Sequence, residues 1–190
     1  MKEIEVKILE IDTKVILTKI KSMGATFVEK GLVSLKAYDF PDDRLVKKGQ
    51  FIRVRKIAGR VELVFKDPQK GDRIKYCEET QVTVSDFDTT CALFEKIGMK
   101  KFAEMEKYRA TYKVGEFRIE FDKYAGIPWF VEVEAPSEEA LVDFVQKLGF
   151  DLDDKETVVA KLIKDVYGEH IHSVNFKEKG ELPDYDSLFE

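Results

Sequence analysis

Residues 2–8 read Lys2-Glu3-Ile4-Glu5-Val6-Lys7-Ile8, charged and apolar side chains alternating at every step. Successive side chains of an extended strand point to opposite faces. This spacing therefore predicts a strand with Ile4, Val6 and Ile8 on one side and Glu3, Glu5 and Lys7 on the other. The same period recurs along the chain, and strands are expected at 2–9, 27–39, 50–57, 60–67, 73–84, 100–114, 116–125 and 128–135. Helices are expected between them: from Asp12 to Gly24, from Ser85 or Asp86 to Gly98, and from Ser137 to Gly149. Each opens at a side chain able to cap free N–H groups and closes at a glycine. A last helix is expected over about 155–167, ending at Gly168. The pattern specifies an α+β fold with an antiparallel sheet, a domain over 1–168, and a polar, solvated C-terminal tail over 169–190.

The polar faces of the strands carry more than solubility. Arg53 and Arg55 oppose Ile52 and Val54, while Glu62 and Lys66 oppose Val61, Leu63 and Phe65. Arg73, Lys75, Glu79 and Gln81 fall on one side of the next strand. Lys107 and Arg109 oppose Tyr108 and Ala110; Arg118, Glu120 and Asp122 oppose Phe117, Ile119 and Phe121; Glu132 and Glu134 oppose Trp129, Val131 and Val133. For any single strand, an open sheet with one wet face accounts for such charges. Like-signed pairs two residues apart, about 7 Å along one face, repel each other, and a solvent face has no need to repeat them. Their recurrence on nearly every strand favours a closed or strongly curved sheet, polar inside, with helices covering its apolar exterior. Inside such a tunnel the carboxylates suit hard cations, Mg2+ or Mn2+, and the basic pairs suit the oxygens of a polyphosphate.

Composition agrees with charges that are organised rather than scattered. Charged residues make up 36% of the 190 residues, above the roughly 25% usual for a globular domain, yet 32 bases against 37 acids leave a net charge of −5. That balance, with an isoelectric point near 5.3, argues against nucleic acid or an anionic membrane as a partner. The chain has no apolar run of the ~20 residues a membrane helix needs. Cys77 and Cys91 are too few for a disulfide framework, so a reducing cytoplasmic setting is expected. His170-x-His172 is a weaker metal candidate, since two histidines in a polar tail are ordinarily exposed side chains.

The ordered set of motifs resembles a known family. Glu3-x-Glu5-x-Lys7 resembles the Glu-x-Glu-x-Lys signature of the CYTH domain, the triphosphate tunnel metalloenzymes that include class IV adenylate cyclases and thiamine triphosphatases. In family order there follow Tyr38 with Asp39-Phe40-Pro41-Asp42, Leu45, Arg53-x-Arg55, Leu63-Val64-Phe65-Lys66, an acidic strand around Glu78 and Glu79, Lys107-x-Arg109, Ile119-Glu120-Phe121-Asp122 and Phe130-Val131-Glu132-Val133-Glu134. The similarity runs over roughly residues 1–165. It implies an eight-stranded antiparallel β-tunnel that is closed, with helices outside. It further implies a triphosphate held by Arg53, Arg55, Lys66, Lys75, Lys107, Arg109 and Arg118, and Mg2+ or Mn2+ held by Glu3, Glu5, Glu120, Asp122, Glu132 and Glu134. Lys7 is placed to orient or deprotonate the nucleophile. The substrate implied is inorganic triphosphate, ATP or thiamine triphosphate, with hydrolysis, cyclisation to cyclic AMP and non-catalytic binding all open. A homodimer is admitted. In the acidic strand the register leaves open whether Glu79, with Lys75, Cys77 and Gln81, or Glu78 faces the tunnel. Lys155 and Lys161 are candidates to close it.

Overall fold

The computed structural model describes residues 2–69, 74–154, 156–159, 175–181 and 183–190. Eight strands form a closed antiparallel barrel: β1 (Lys2–Ile8), β2 (Thr26–Asp39), β3 (Phe51–Ile57), β4 (Arg60–Gln69), β5 (Lys75–Val84), β6 (Lys100–Val114), β7 (Phe117–Lys123) and β8 (Phe130–Glu134). Their order is β5-β4-β3-β2-β6-β7-β8-β1, and β1 pairs back to β5. The N-terminal strand makes that closure. Residues 2–5 of β1 pair with β5 while residues 5–8 pair with β8. Beyond Glu5 the edge left by β5 is taken by β9 (Val158–Val159), opposite Lys7 and Ile8. The helix expected from about 155 is therefore corrected at its start: residues 156–159 form a turn and this short strand, as two adjacent β-branched residues favour. The remainder of that expected helix, and Arg73, Lys155, Lys161, His170 and His172, lie outside the described residues.

Helices α1 (Thr13–Ser22), α2 (Phe87–Lys96) and α3 (Glu138–Lys147) start where the capping residues place them. The side chains of Asp12, Asp86 and Ser137 each accept a hydrogen bond from a first-turn N–H. Gly24 then leaves α1 at φ 82°, a left-handed conformation open to a residue without Cβ. Helices α1 and α3 cover the outward faces of β1, β7 and β8: Val6, Ile119, Phe121 and Val133 share one core with Ile16, Ile20, Leu141 and Phe144. Helix α2 covers a smaller core of Tyr38, Val54, Val61, Cys91 and Met99. Among the described residues no helix is long and apolar enough to cross a membrane.

The C-terminal segment departs from the expectation of a solvated tail. Phe176 and Phe189 are buried in the larger core. A 3-10 turn over Asp186–Phe189 sets the Phe189 ring against Tyr108, Phe121 and Trp129. Polar contacts fix the same turn: Tyr108 Oη donates to Asp186 at 2.6 Å, and Lys30 Nζ donates to the Asp186 carbonyl at 2.8 Å. Two aromatic anchors outweigh the polar composition around them.

Candidate active site

The strand register turns every charged face inward. One cavity of about 480 Å3 fills the barrel, and nine bases and seven carboxylates line it. Thirteen expected site residues meet there: Lys7, Arg53, Arg55, Lys66, Lys75, Lys107, Arg109, Arg118, Glu3, Glu5, Glu120, Glu132 and Glu134. Asp122 is the exception. It is fully buried in the wall, where Lys107 Nζ at 2.7 Å and Arg109 Nε at 2.6 Å occupy its oxygens, so it positions two bases rather than bordering the cavity. The open register of β5 resolves in favour of Glu79, which is buried and cavity-lining, while Glu78 is exposed. Glu79 stands opposite Lys66 of β4 and contacts its ammonium.

Antiparallel pairing sets like charges face to face, Glu5 opposite Glu134 and Glu120 opposite Glu132. Such pairs repel unless cations come between them. Lys7 Nζ lies 3.3 Å from both Glu5 and Glu132, and Lys75 Nζ is 2.5 Å from Glu5. Arg109 reaches Glu132 at 2.5 Å and also contacts Glu120, while Lys66 bonds Glu3 at 3.2 Å.

The electrostatics of the site follow from this partnering. Burial would raise the Glu5 carboxyl, but Lys7 and Lys75 overcome it and hold the group at about 2. Burial also works against Glu132, which Lys107, Lys7 and Arg109 hold well below the carboxylate range. Glu3 is different: burial pushes it to about 7 despite Lys66, with Glu79 and Glu5 adding to the rise. Glu134 is pushed up by burial and by the Glu120 and Glu5 carboxylates. Positive charge is thus short around Glu3 and Glu134. Lys7 is held above the ordinary lysine value by Glu5 and Glu132 against its burial, so among these partners it stands as an ammonium. Burial and Arg109 lower Lys107 instead.

A divalent cation fits these residues. The donors are hard carboxylate oxygens, and at Glu134 the crowding by Glu120 and Glu5 is not offset by Arg118. Glu3, Glu79 and the buried Cys77 also converge, with ligand atoms within 4.8 Å of one another, although Lys66 already contacts both carboxylates. On the basic side, the buried Nε of Arg53 has no hydrogen-bond partner among the described residues. An anion in the cavity would supply one.

One flank of the cavity is apolar, formed by Leu35, Ala37, Phe51, Phe102, Ala103 and Met105. The loop beside it, contributing Val46, Gly49 and Gln50, is held by Asp39. Its carboxylate accepts from the backbone N–H of Phe40, Leu45 and Val46 at 2.6, 3.1 and 2.8 Å. This clamp accounts for the Tyr38-Asp39-Phe40-Pro41-Asp42 stretch with Leu45. Sequence reasoning assigned no role to Glu29, Arg60, Glu62 or Tyr124. The Arg60-x-Glu62 spacing beside a two-residue turn is the signal for two of them.

A family model described as CYTH domain matches residues 1–158. The chain belongs to the CYTH domain family. Solved structures share its fold across most of their lengths. A Pyrococcus horikoshii protein is 24% identical, with a TM-score of 0.72, covering 86% of this CYTH chain and 98% of its own. A Vibrio parahaemolyticus protein, described as an adenylate cyclase candidate, is 23% identical at TM-score 0.73, over 87% and 97% of the two chains. A Hippeastrum protein, described as an adenylyl cyclase candidate with a dominant triphosphatase activity, is 16% identical at TM-score 0.62, over 95% and 97%. No curated protein matches the chain.

Proposed function

We propose that this CYTH domain is a divalent-metal-dependent triphosphatase that transfers the terminal phosphoryl group of a triphosphate to water. The observation that carries the reading is the interleaving of nine bases and seven carboxylates round a single lumen. Arg53, Arg55, Lys66, Lys75, Lys107, Arg109 and Arg118 take the phosphate oxygens, guanidinium groups by paired N–H bonds and ammonium groups as point charges. Glu3, Glu5, Glu120, Glu132 and Glu134 would hold Mg2+ or Mn2+, whose charge would offset theirs where the bases are shared with a phosphate chain. When bound, the divalent ion supplies positive charge at the phosphoryl oxygens undergoing transfer. Asp122 fixes Lys107 and Arg109 against the lumen wall, so their charge needs no rearrangement during reaction. Lys7, kept protonated between Glu5 and Glu132, orients the attacking water and offsets charge.

A second reading rests on the apolar flank of Phe51, Phe102 and Met105, which suits an organic group at one end of the phosphate chain. With ATP bound there, attack by the ribose 3′-hydroxyl on the α-phosphorus would give cyclic AMP and diphosphate. The test measures orthophosphate, diphosphate and cyclic AMP from inorganic triphosphate, thiamine triphosphate and ATP, with Mg2+, Mn2+ or EDTA. Orthophosphate with diphosphate or a diphosphate ester, abolished by EDTA, is expected. Cyclic AMP as the main product would shift the assignment to cyclisation, and tight binding without turnover under either metal would sink both.

A further inference from the structure

At the β3–β4 turn end of the lumen, Arg55, Arg118 and Glu120 are tied together by Glu29, Arg60 and Glu62, three charges that the proposed reaction does not use. Charges alternate there along an unbroken chain of Arg55, Glu62, Arg60, Glu29, Arg118 and Glu120. Arg60 donates to both oxygens of Glu29 at 3.0 Å each and, from Nε, to Glu62 at 2.7 Å. Arg55 also contacts Glu62. Arg118 lies 3.8 Å from the same Glu29 and donates to Glu120 at 2.7 Å. Glu29 sits on β2, Arg60 on β4 and Arg118 on β7, strands that are not neighbours in the sheet. Each of these bonds therefore bridges over one intervening strand instead of joining sheet neighbours.

The space narrows with them. Beside the large cavity lies a void of about 10 Å3, bounded by Glu29, Arg55, Arg118 and Glu120. That is room for about one water and too little for a phosphoryl group. The Glu29 side chain is 12% exposed and that of Glu62 only 4%, so parting them from their guanidinium partners would leave poorly solvated charges. Among the described residues, the opposite end of the cavity is bordered by the apolar Val46, Gly49, Phe51 and Phe102.

We propose that this lattice is a depth stop that limits the length of phosphate chain the tunnel accepts, with Arg60 and Glu29 as the specificity-determining pair. The inference rests on the tunnel being a phosphate-chain site and adds the substrate class: short oligophosphates are admitted and long linear polyphosphate is excluded. A chain entering past the apolar border runs along Arg53 and Lys66 and ends at Arg55 and Arg118. Further phosphates would have to separate the two-bonded Arg60–Glu29 pair.

The test measures binding of inorganic tripolyphosphate, tetraphosphate and long-chain linear polyphosphate by calorimetry on the full chain, for wild type, Arg60→Ala, Glu29→Gln and Arg60→Lys, with thermal melting to confirm folding. Wild type is expected to prefer tripolyphosphate. Arg60→Ala and Glu29→Gln should each raise long-chain affinity relative to tripolyphosphate by about tenfold, equivalent to about 1.4 kcal/mol. Arg60→Lys, which keeps the charge and loses the paired bonds, should fall between. Wild type that binds long chains as tightly as tripolyphosphate, or folded variants with an unchanged ratio, would overturn the depth stop alone. Wild type that binds no tripolyphosphate would overturn the triphosphate reading as well.

Discussion

Strands β7, β8 and β1 turn six carboxylates and two bases to the inside of the barrel, whereas β3, β4, β5 and β6 turn seven bases and two carboxylates inward. The two arcs also differ in what stands behind them. The acidic arc is backed by the larger core, under α1, α3 and the C-terminal turn, while β3 and β4 rest on the smaller core under α2. Side-chain length explains the pairing of arc with support. A carboxylate ends close to its backbone, so its oxygens are placed only as accurately as the strand that carries it. Arginine and lysine reach across the lumen on long stems and tolerate a lighter frame.

If the acidic arc holds the metal and the basic arc the phosphates, the largest effect comes from the acidic side. Glu132→Gln removes a carboxylate that faces Lys7 and Arg109, and turnover of a triphosphate is expected to fall by about 1,000-fold, near 4 kcal/mol of transition-state stabilisation. Phosphate release at saturating substrate, with circular dichroism as a folding control, measures it. Turnover within tenfold of wild type would break the division of labour.

The next largest concerns the support of that arc. Phe189→Ala removes a buried ring that packs on Tyr108, Phe121 and Trp129, and should cost about 3 kcal/mol of stability in denaturant titration. A change below about 0.5 kcal/mol would return the C-terminal segment to the surface role of an ordinary tail. On the basic arc, Arg53→Ala should weaken triphosphate binding by about 2 kcal/mol, roughly thirtyfold, mostly in KM. A loss confined to kcat would instead mark Arg53 as acting on the transition state.

Both arcs were legible in the sequence because period-two alternation carries its own register: once Ile119 and Phe121 face the core, Glu120 must face the lumen. What the pattern lacked, it lacked for physical reasons. Glu78 and Glu79 are adjacent acids, and only the pairing of Glu79 with Lys66 across two strands chooses between them. Glu29 follows a register shift between Phe27 and Glu29, which breaks the alternation that would have exposed it. Phe176 and Phe189 have no period, and the Tyr108, Phe121 and Trp129 rings that receive Phe189 lie far away in sequence. Asp122 could be read as inward and acidic, yet its engagement by Lys107 and Arg109 depends on two neighbouring bases closing on one carboxylate.

The smallest expected effect separates charge that supports the fold from charge kept for ligand. Glu62 lies on the basic arc between Arg55 and Arg60. Burial would raise its carboxyl, but Arg55 first and then the Arg60 hydrogen bond hold it below the ordinary 4.5. A folded carboxyl lower than its unfolded counterpart adds stability above the ordinary value and loses it as pH falls through the folded value. Wild type should therefore exceed Glu62→Gln in melting temperature at neutral pH, and the gap should close on acidification below about 4.5. Comparing the two proteins cancels the other carboxylates that titrate in the same range. A gap independent of pH would mean that Glu62 supports β4 by packing and hydrogen bonding alone, leaving Arg55 with a counter-charge it can surrender to a phosphate at little electrostatic cost.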